Sequence, residues 1–258
     1  MEFSNGIILD VVPLWTWALL FMRCIGMMEI LPALGNSEIP RIFRLLFTFS
    51  LSVLITASGL RCELPTSLAH GFVLLILEFI LGVALGIIPA IIINGVGVAG
   101  QVVSGSIGLG QANMMDPSLG TQSAILAKLQ IMFATIIFLL IDGHHVVIRA
   151  VSGMIGDMPV GGFVPDFQTF YLLLHNLKNS FELAVVLAAP ILVTALCVNF
   201  VLGLITKFVP QMNIFIISLP IGILVGLYLV SYTTGGLQNL FTITFNDMYY
   251  SIARLFVK

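Results

Sequence analysis

Apolar residues along this chain fall into six long segments, which are separated by short polar or proline-containing stretches. The segments cover about residues 11–33, 42–60, 71–98, 125–148, 181–206 and 213–234. Each is close to the roughly 20 residues that a helix needs to cross the hydrocarbon core of a bilayer. The pattern predicts an all-α, membrane-associated fold with about six long apolar helices.

One apolar stretch, Gly95–Gly120, breaks this pattern because it contains seven glycines. An interior glycine costs a helix about 1 kcal/mol relative to alanine, and Pro89 just before the stretch favours a kink. We therefore expect the helix to end near Gly95 and the stretch to form a flexible apolar loop. Backbone that leaves the helix at membrane depth must be buried in protein or line water, so the loop is expected to face an internal lumen.

The composition agrees with a membrane-associated chain. Hydrophobic residues make up 59% of the sequence and charged residues 9%, against roughly 25% charged residues in soluble domains. The net charge of −2 and the lack of a basic run argue against nucleic acid as a partner. The first basic residue, Arg23, comes too late for a secretory signal, so we expect the first apolar segment to be retained. The lysines and arginines of the connections do not decide the orientation of the helices.

Four ionisable residues lie inside apolar segments: Arg23, Glu29, Glu78 and Glu182. A charge at membrane depth normally faces protein or water and has a partner. Arg23 and Glu29 are six positions apart, which is too far to pair well along one helix, so we expect their partners elsewhere. A structural ion pair or a subunit contact is the favoured interpretation, and a proton or ion relay is the alternative.

Two pairs of glycines with the spacing glycine-x-x-x-glycine also lie in apolar segments. They are Gly82 with Gly86, and Gly222 with Gly226. Each pair opens a flat strip on which another helix can approach closely. The spacing predicts tight helix packing and does not identify the packing partner.

Residues with catalytic or metal-binding chemistry are few. The three cysteines lie far apart and form no C-x-x-C motif: Cys24, Cys62 and Cys197. The one polar cluster is Asp142, His144 and His145, and adjacent histidines on a helix point away from each other. We interpret the cluster as a helix terminus at an interface. We predict a protein that is not an enzyme and that has neither a cofactor nor a metal site.

Several short motifs, in a fixed order along the chain, resemble those of one protein family. They are Ile39-Pro40-Arg41, Gly100-Gln101, Gly108-Leu109, Ala112, Asp116-Pro117, Gly143-His144, Met158-Pro159-Val160-Gly161, Pro210-Gln211-Met212-Asn213, Pro220 and Val225-Gly226. Together they resemble the R-type export-gate subunits of bacterial type III secretion, the FliR/SctT family. The chain departs from that family at Gln111 and Met114, where many relatives have phenylalanine. It also departs at Asp142 and Val209, which stand where asparagine and alanine are usual.

The resemblance implies a place in a hetero-oligomeric, helical export gate in the bacterial inner membrane, at the flagellar basal body. Residues 1–180 would resemble the P-type subunit, and residues 181–258 would form a Q-type-like helical hairpin with an amphipathic tail. The implied partners are the P-, Q- and B-type subunits (FliP, FliQ and FlhB), indirectly the A-type subunit (FlhA), unfolded export substrates and membrane lipid.

The resemblance also implies that the loop after the third helix is a plug in the lumen, at about residues 106–122. Its residues are Ser106, Ile107, Gly108, Leu109, Gly110, Gln111, Ala112, Asn113, Met114, Met115, Asp116 and Pro117. The implied function is that of a pore-forming and plug subunit, which passes unfolded flagellar subunits across the inner membrane. One alternative is a secondary transporter or ion channel of six helices, which would show interrupted helices in both halves of the chain. Another is a purely structural scaffold.

Overall fold

The computed structural model describes residues 3–35, 39–108, 125–153, 159–208 and 214–256. This part of the chain contains seven α-helices and no β-strand. The helices are α1 (Phe3–Ile30), α2 (Arg41–Ala57), α3 (Leu68–Ser106), α4 (Ile125–Leu140), α5 (Gly143–Val151), α6 (Phe167–Phe208) and α7 (Ile214–Phe256). The prediction of an all-α fold is confirmed.

Among the described residues, fewer helices than predicted have the length and apolarity of a membrane span. Leu68–Ser106 and Phe167–Ile205 qualify. The helices α4 and α5 meet at a bend of 66° and count as a third span only if the bent pair crosses as one unit. Pro220–Thr233 is a shorter apolar helix. The predicted number of about six long apolar helices is therefore not confirmed.

The main error of the sequence prediction concerns Gly95–Ser106, which is helical and not a loop. Three of its four glycines, Gly95, Gly97 and Gly100, lie where other helices come close, and a Cβ atom on Gly105 would meet nothing within 4 Å. A Cβ atom on Gly100 would be 2.6 Å from the Cα atom of Ala127 on α4, and one on Gly95 would collide with Ser180 on α6. Close helix packing of this kind offsets the cost of about 1 kcal/mol for each glycine. The expected helix end near Gly95 is wrong for this reason.

The first of two compact units comprises Met1–Ile91, Leu139–Asn176 and Phe245–Lys258. Its buried side chains include Leu19, Leu20, Cys24, Met27, Leu81, Leu85 and Ile88. The close approach predicted at Gly82 and Gly86 is made by α1. A Cβ atom on Gly86 would lie 2.8 Å from the carbonyl oxygen of Met27, and one on Gly82 would collide with the backbone of Arg23. Backbone contact between α1 and α3 thus lies at the centre of this unit.

In the same unit, α2 buries three polar side chains and exposes most of its apolar ones. Arg44, Thr48 and Ser52 are buried, and Ser52 accepts a hydrogen bond from the Trp17 indole at 3.1 Å. The side chains that are more than half exposed on this helix are Ile42, Phe43, Leu45, Leu46 and Leu54. A helix in water buries its apolar face, so this reversed pattern indicates that α2 has apolar surroundings.

The second unit comprises Ile92–Phe138 and Leu177–Thr244. It contains the last part of α3, most of α4 and α6, and the first part of α7. Its buried side chains include Val96, Ala99, Val103, Ile107, Ala134, Ala188, Ile191 and Phe241. The predicted boundary at residue 180 was based on a likeness to two other subunits and not on packing, and it stays a prediction.

Candidate functional site

The candidate site is the C-terminal end of α3, where the predicted plug begins. The Ile107 N–H donates to the Val103 carbonyl at 3.1 Å, and the Gly108 N–H donates to the Gly105 carbonyl at 3.4 Å. Gly108 then has a φ of +89°, a conformation that glycine adopts without the clash that a Cβ atom would cause. Glycines in this conformation commonly end helices. The chain therefore leaves α3 at a defined point.

Ile107 fixes this helix end to α7. Its side chain is 3% exposed and fills a notch that Gly222 and Gly226 leave on α7. A Cβ atom on Gly226 would lie 2.9 Å from the Cβ and Cδ1 atoms of Ile107. One on Gly222 would lie 3.1 Å from the Ile107 carbonyl oxygen. The absence of a side chain at both positions is what admits Ile107, and we name this contact the Ile107 anchor.

Side chains of α6 and α7 complete the notch. They are Ile191, Ala195, Val198, Asn199, Val225 and Leu229. The cavity that remains is about 10 Å³, which is close to the minimum that holds one water molecule. Ile107 is therefore closely packed, against a mostly apolar surface.

The structure describes only the first three of the predicted plug residues. Ser106 is the last residue of α3, and Ile107 and Gly108 form the turn that follows. The others lie outside the described residues: Leu109, Gly110, Gln111, Ala112, Asn113, Met114, Met115, Asp116 and Pro117. The Ile107 anchor joins two features that the sequence presented separately, the plug segment and the pair Gly222–Gly226.

A buried polar site lies in the first unit, where Arg23 of α1 meets Glu78 of α3. The Arg23 Nε atom donates to Glu78 Oε2 at 2.5 Å, and Nη2 donates to Oε1 at 2.9 Å. The two side chains are 0% and 1% exposed. Because an unpaired charge at this depth would cost several kcal/mol, each group depends on the other. The fork of the guanidinium matches the two oxygens of the carboxylate.

Two backbone groups complete the surroundings of this ion pair. Arg23 Nη1 donates to the carbonyl oxygen of Val151, the last residue of α5, at 3.1 Å. The Gly161 N–H donates to Glu78 Oε1 at 2.7 Å. The last carbonyl groups of a helix lack partners within it and carry partial negative charge, which suits an arginine. Sequence reasoning found both charged residues but not their pairing, since 55 positions separate them.

The other two predicted intramembrane charges lie nearer to the surface of the chain. Glu29 is 57% exposed and accepts a hydrogen bond from Arg44 Nη1 at 3.0 Å. Glu182 is exposed on α6. The expectation that Arg23 and Glu29 have separate partners on other helices agrees with both ion pairs.

The cluster of Asp142, His144 and His145 lies at the corner between α4 and α5. The Asp142 Oδ1 atom is 3.0 Å from His145 Nδ1, and the two imidazole ring centroids are 4.1 Å apart. The prediction that the histidines point away from each other is wrong, because both belong to the first turn of α5, where no earlier turn restricts them. The three residues could hold a metal ion, since their possible ligand atoms lie within 4.8 Å of one another. The Asp142–His145 hydrogen bond explains their arrangement without one.

Comparison with known proteins shows a likeness over most of the chain. A family described as "Bacterial export proteins, family 1" matches residues 14–248. The flagellar biosynthetic protein FliR of Bacillus subtilis (strain 168) is 26% identical over 251 residues, 93% of this chain and 95% of that protein. FliR of Aquifex aeolicus (strain VF5) is 27% identical, over 93% of this chain and 92% of that protein. The surface presentation of antigens protein SpaR of Shigella sonnei is 26% identical over 81% of each.

Proposed function

This chain belongs to the bacterial export proteins of family 1, and from that premise we propose that it is the pore-forming and plug subunit of a flagellar type III export gate. Family membership and the FliR relatives make it a membrane protein of the flagellar type III export apparatus. The proposal adds three points: the chain lines the channel in the inner membrane, the segment at about residues 106–122 closes that channel, and unfolded flagellar subunits pass when the segment moves. The role is structural and not catalytic.

The Ile107 anchor is the observation that carries this proposal. A plug must be held at one end so that it returns to the same place after each substrate. Ile107 supplies a fixed point in the notch of Gly222 and Gly226. Gly108, with its φ of +89°, supplies a turn immediately beyond it. A fixed point followed by a glycine turn is what a hinged segment needs.

The expected strength of the anchor suits a seal that must open. Removing an isoleucine side chain from water stabilises a contact by about 1.5–3 kcal/mol. Every 1.4 kcal/mol changes an equilibrium constant by a factor of ten. The anchored state would therefore be favoured over the released state by roughly one to two orders of magnitude. Such a contact keeps a channel closed at rest, and a chain that is driven through the channel can displace it.

The sequence beyond the anchor supplies adaptable apolar side chains. Methionine is unbranched and soft, which suits it to fill irregular gaps against a changing partner, and the sequence has two in this segment, Met114 and Met115. Apolar constrictions also exclude ions because water leaves them. Gln111 is polar where many relatives have phenylalanine, and we propose that the two methionines compensate for it.

Exposed apolar surface supports a place among other subunits and lipid. On α6, the side chains of Val193, Leu196, Phe200 and Phe208 are each more than 60% exposed. Together with the outward apolar face of α2, they form more apolar surface than a soluble monomer normally shows. We propose that lipid and the P- and Q-type subunits (FliP and FliQ) cover these faces. The B-type subunit (FlhB) would contact the same assembly, and the A-type subunit (FlhA) would join it indirectly.

Replacing Gly226 by alanine tests the proposal. The new Cβ atom would collide with Cγ2 of Ile107 and lie 2.9 Å from its Cβ atom, so the anchor must shift, and overpacking of this kind costs about 1–3 kcal/mol. We expect the ion conductance of membranes that contain the assembled gate to rise about tenfold. Gly105→Ala is the matched control, because a Cβ atom there meets nothing within 4 Å and conductance should stay at the wild-type level.

A second measurement locates the segment itself. Cysteines placed at Ala112 or Met114 should form crosslinks to an export substrate that is stalled in the channel. If these cysteines react only with reagents from bulk solvent, or if Gly226→Ala assembles normally with unchanged conductance and secretion, the plug role is refuted.

A further inference from the structure

The Arg23–Glu78 ion pair does more than neutralise two buried charges, because it also bonds to two backbone groups that are far from it in the sequence. Val151 and Gly161 lie on either side of residues 154–158 in the sequence, and both bond to the pair. We propose that the ion pair is a positioning lock for the turn at residues 159–163, which leads into α6. This proposal does not depend on the export function.

The turn is held at two successive backbone groups. The Gly161 N–H donates to Glu78, and the carbonyl of the preceding residue, Val160, accepts a hydrogen bond from the Cys62 thiol at 3.0 Å. Gly161 has a φ of +83°, and a Cβ atom there would lie 2.9 Å from Cys62 Sγ. Phe163 at the end of the turn is 2% exposed. The turn therefore packs against Cys62 on one side and against the buried carboxylate on the other.

A carboxylate at this place fixes the positions of the groups that donate hydrogen bonds to it, which an apolar pair would not do. Apolar side chains tolerate small shifts of their neighbours, whereas a buried charge stays satisfied only when each donor keeps its position. Replacing Arg23 and Glu78 together by apolar residues would preserve the contact between α1 and α3. It would also remove the acceptor that the Gly161 N–H needs. An experiment can thus separate the effect of the pair on the stability of the protein from its effect on the position of the turn.

The native cysteines provide the probe. Cys62 is partly buried under the turn, and Cys24 is fully buried in α1. Burial and the nearby Glu78 and Glu63 charges raise the pKa of the Cys62 thiol above its usual value. A change at Glu78 would therefore alter both the ionisation and the accessibility of Cys62. At high pH, where the thiol is fully ionised, the alkylation rate no longer depends on the ionised fraction, and a tenfold rise then reports greater accessibility, because the lower thiol pKa expected without Glu78 would make the thiolate less nucleophilic.

The experiment compares the wild-type protein with Glu78→Gln and with the double variant Arg23→Met/Glu78→Met. Purified protein is treated with iodoacetamide over a range of pH, and each cysteine is followed by mass spectrometry. We expect the limiting rate at Cys62 to rise about tenfold in the double variant and less in Glu78→Gln, whose amide oxygen can still accept from the Gly161 N–H, while Cys24 stays protected. Glu63→Gln is the control, because it removes a charge that acts on Cys62 without touching the lock, so it should change the pH midpoint and leave the limiting rate unaltered.

Two results would overturn the proposal. One is a limiting rate at Cys62 that equals the wild-type rate in the double variant. The other is rapid labelling of Cys24 in the double variant, which would mean that the pair holds α1 against α3 as a whole and not the turn. If Glu78→Gln alone does not fold, the double variant still decides, because an apolar pair of similar size removes the unpaired charge.

Discussion

The two glycine pairs of this chain, Gly82–Gly86 on α3 and Gly222–Gly226 on α7, have the same spacing and accommodate different neighbours. At the first pair the backbone of α1 comes close, with the Met27 carbonyl oxygen 2.8 Å from a Cβ atom placed on Gly86. At the second pair Ile107 fills the space, with its side chain against Gly226 and its carbonyl oxygen against Gly222. The backbone of α1 can withdraw only if a whole helix moves, whereas Ile107 lies in the turn that follows α3 and can leave by a local shift. One motif thus admits a backbone contact between two helices at one site and, in the proposed plug role, a releasable contact at the other.

The surroundings of the two sites strengthen this difference. The Arg23–Glu78 ion pair lies beside the first contact, where a Cβ atom on Gly82 would collide with the Arg23 backbone. Around the second contact the side chains are apolar apart from Ser106 and Asn199. Buried charges fix one arrangement, because any other leaves them unpaired. Apolar contacts allow several arrangements of similar energy, and the proposed opening and closing of the segment would require such contacts.

The largest effect should come from removing one partner of the ion pair. Glu78→Ala leaves the Arg23 guanidinium buried without its carboxylate, so we expect unfolding in detergent to be easier by about 3–5 kcal/mol. The double variant Arg23→Met/Glu78→Met should recover most of this loss. Denaturant titration of the purified protein measures both. If Glu78→Ala is as stable as the wild type, the buried charges do not fix the arrangement at the first glycine pair. The two glycine sites would then not differ in the way described above.

A smaller but clear loss should follow from Gly82→Ala. The added methyl group would collide with the Arg23 carbonyl oxygen, and α1 cannot move aside without disturbing its own packing. We expect a destabilisation at the upper end of the usual range of about 1–3 kcal/mol for overpacking. Gly226→Ala should destabilise less, because Ile107 lies in the turn after α3 and can shift without moving a whole helix. If Gly226→Ala proves the more destabilising of the two, the contrast between backbone and side-chain contact is wrong.

A double-mutant cycle between Ile107 and Gly226 sharpens the comparison further. In Ile107→Ala the notch is largely empty, so a methyl group added at Gly226 has room. The conductance of Ile107→Ala/Gly226→Ala should therefore equal that of Ile107→Ala alone, with a coupling of about 0.5–3 kcal/mol between the two sites. If the effects of the two substitutions on conductance, expressed as free energies, are strictly additive, Gly226 acts through some neighbour other than Ile107.

Composition and periodicity were enough to predict the helical class and to mark the glycine pairs and the buried charges. They could not predict the helical state of Gly95–Ser106. Helix propensity includes the cost of each glycine but not the stabilisation that comes from a neighbouring helix packed against it. They could not pair Arg23 with Glu78 either, since the contact joins residues that are 55 positions apart. The Ile107 anchor could not be predicted either, because Ile107 and the glycines that it contacts are far apart in the sequence. An isoleucine in an apolar stretch carries no sign that a notch elsewhere in the chain accommodates it.

The smallest effect, and the finest test of the anchor, is expected from Ile107→Val. This change removes one methyl group from a side chain that is 3% exposed, and such truncations cost about 0.5–1.5 kcal/mol. If the anchored state is favoured only by the burial of Ile107, resting conductance should rise about two- to tenfold while secretion continues. Leu229→Ile, on the lining of the same notch, keeps the volume and serves as the control. An unchanged conductance in Ile107→Val, together with a raised one in Gly226→Ala, would mean that the shape of the notch and not the burial of Ile107 holds the segment in place.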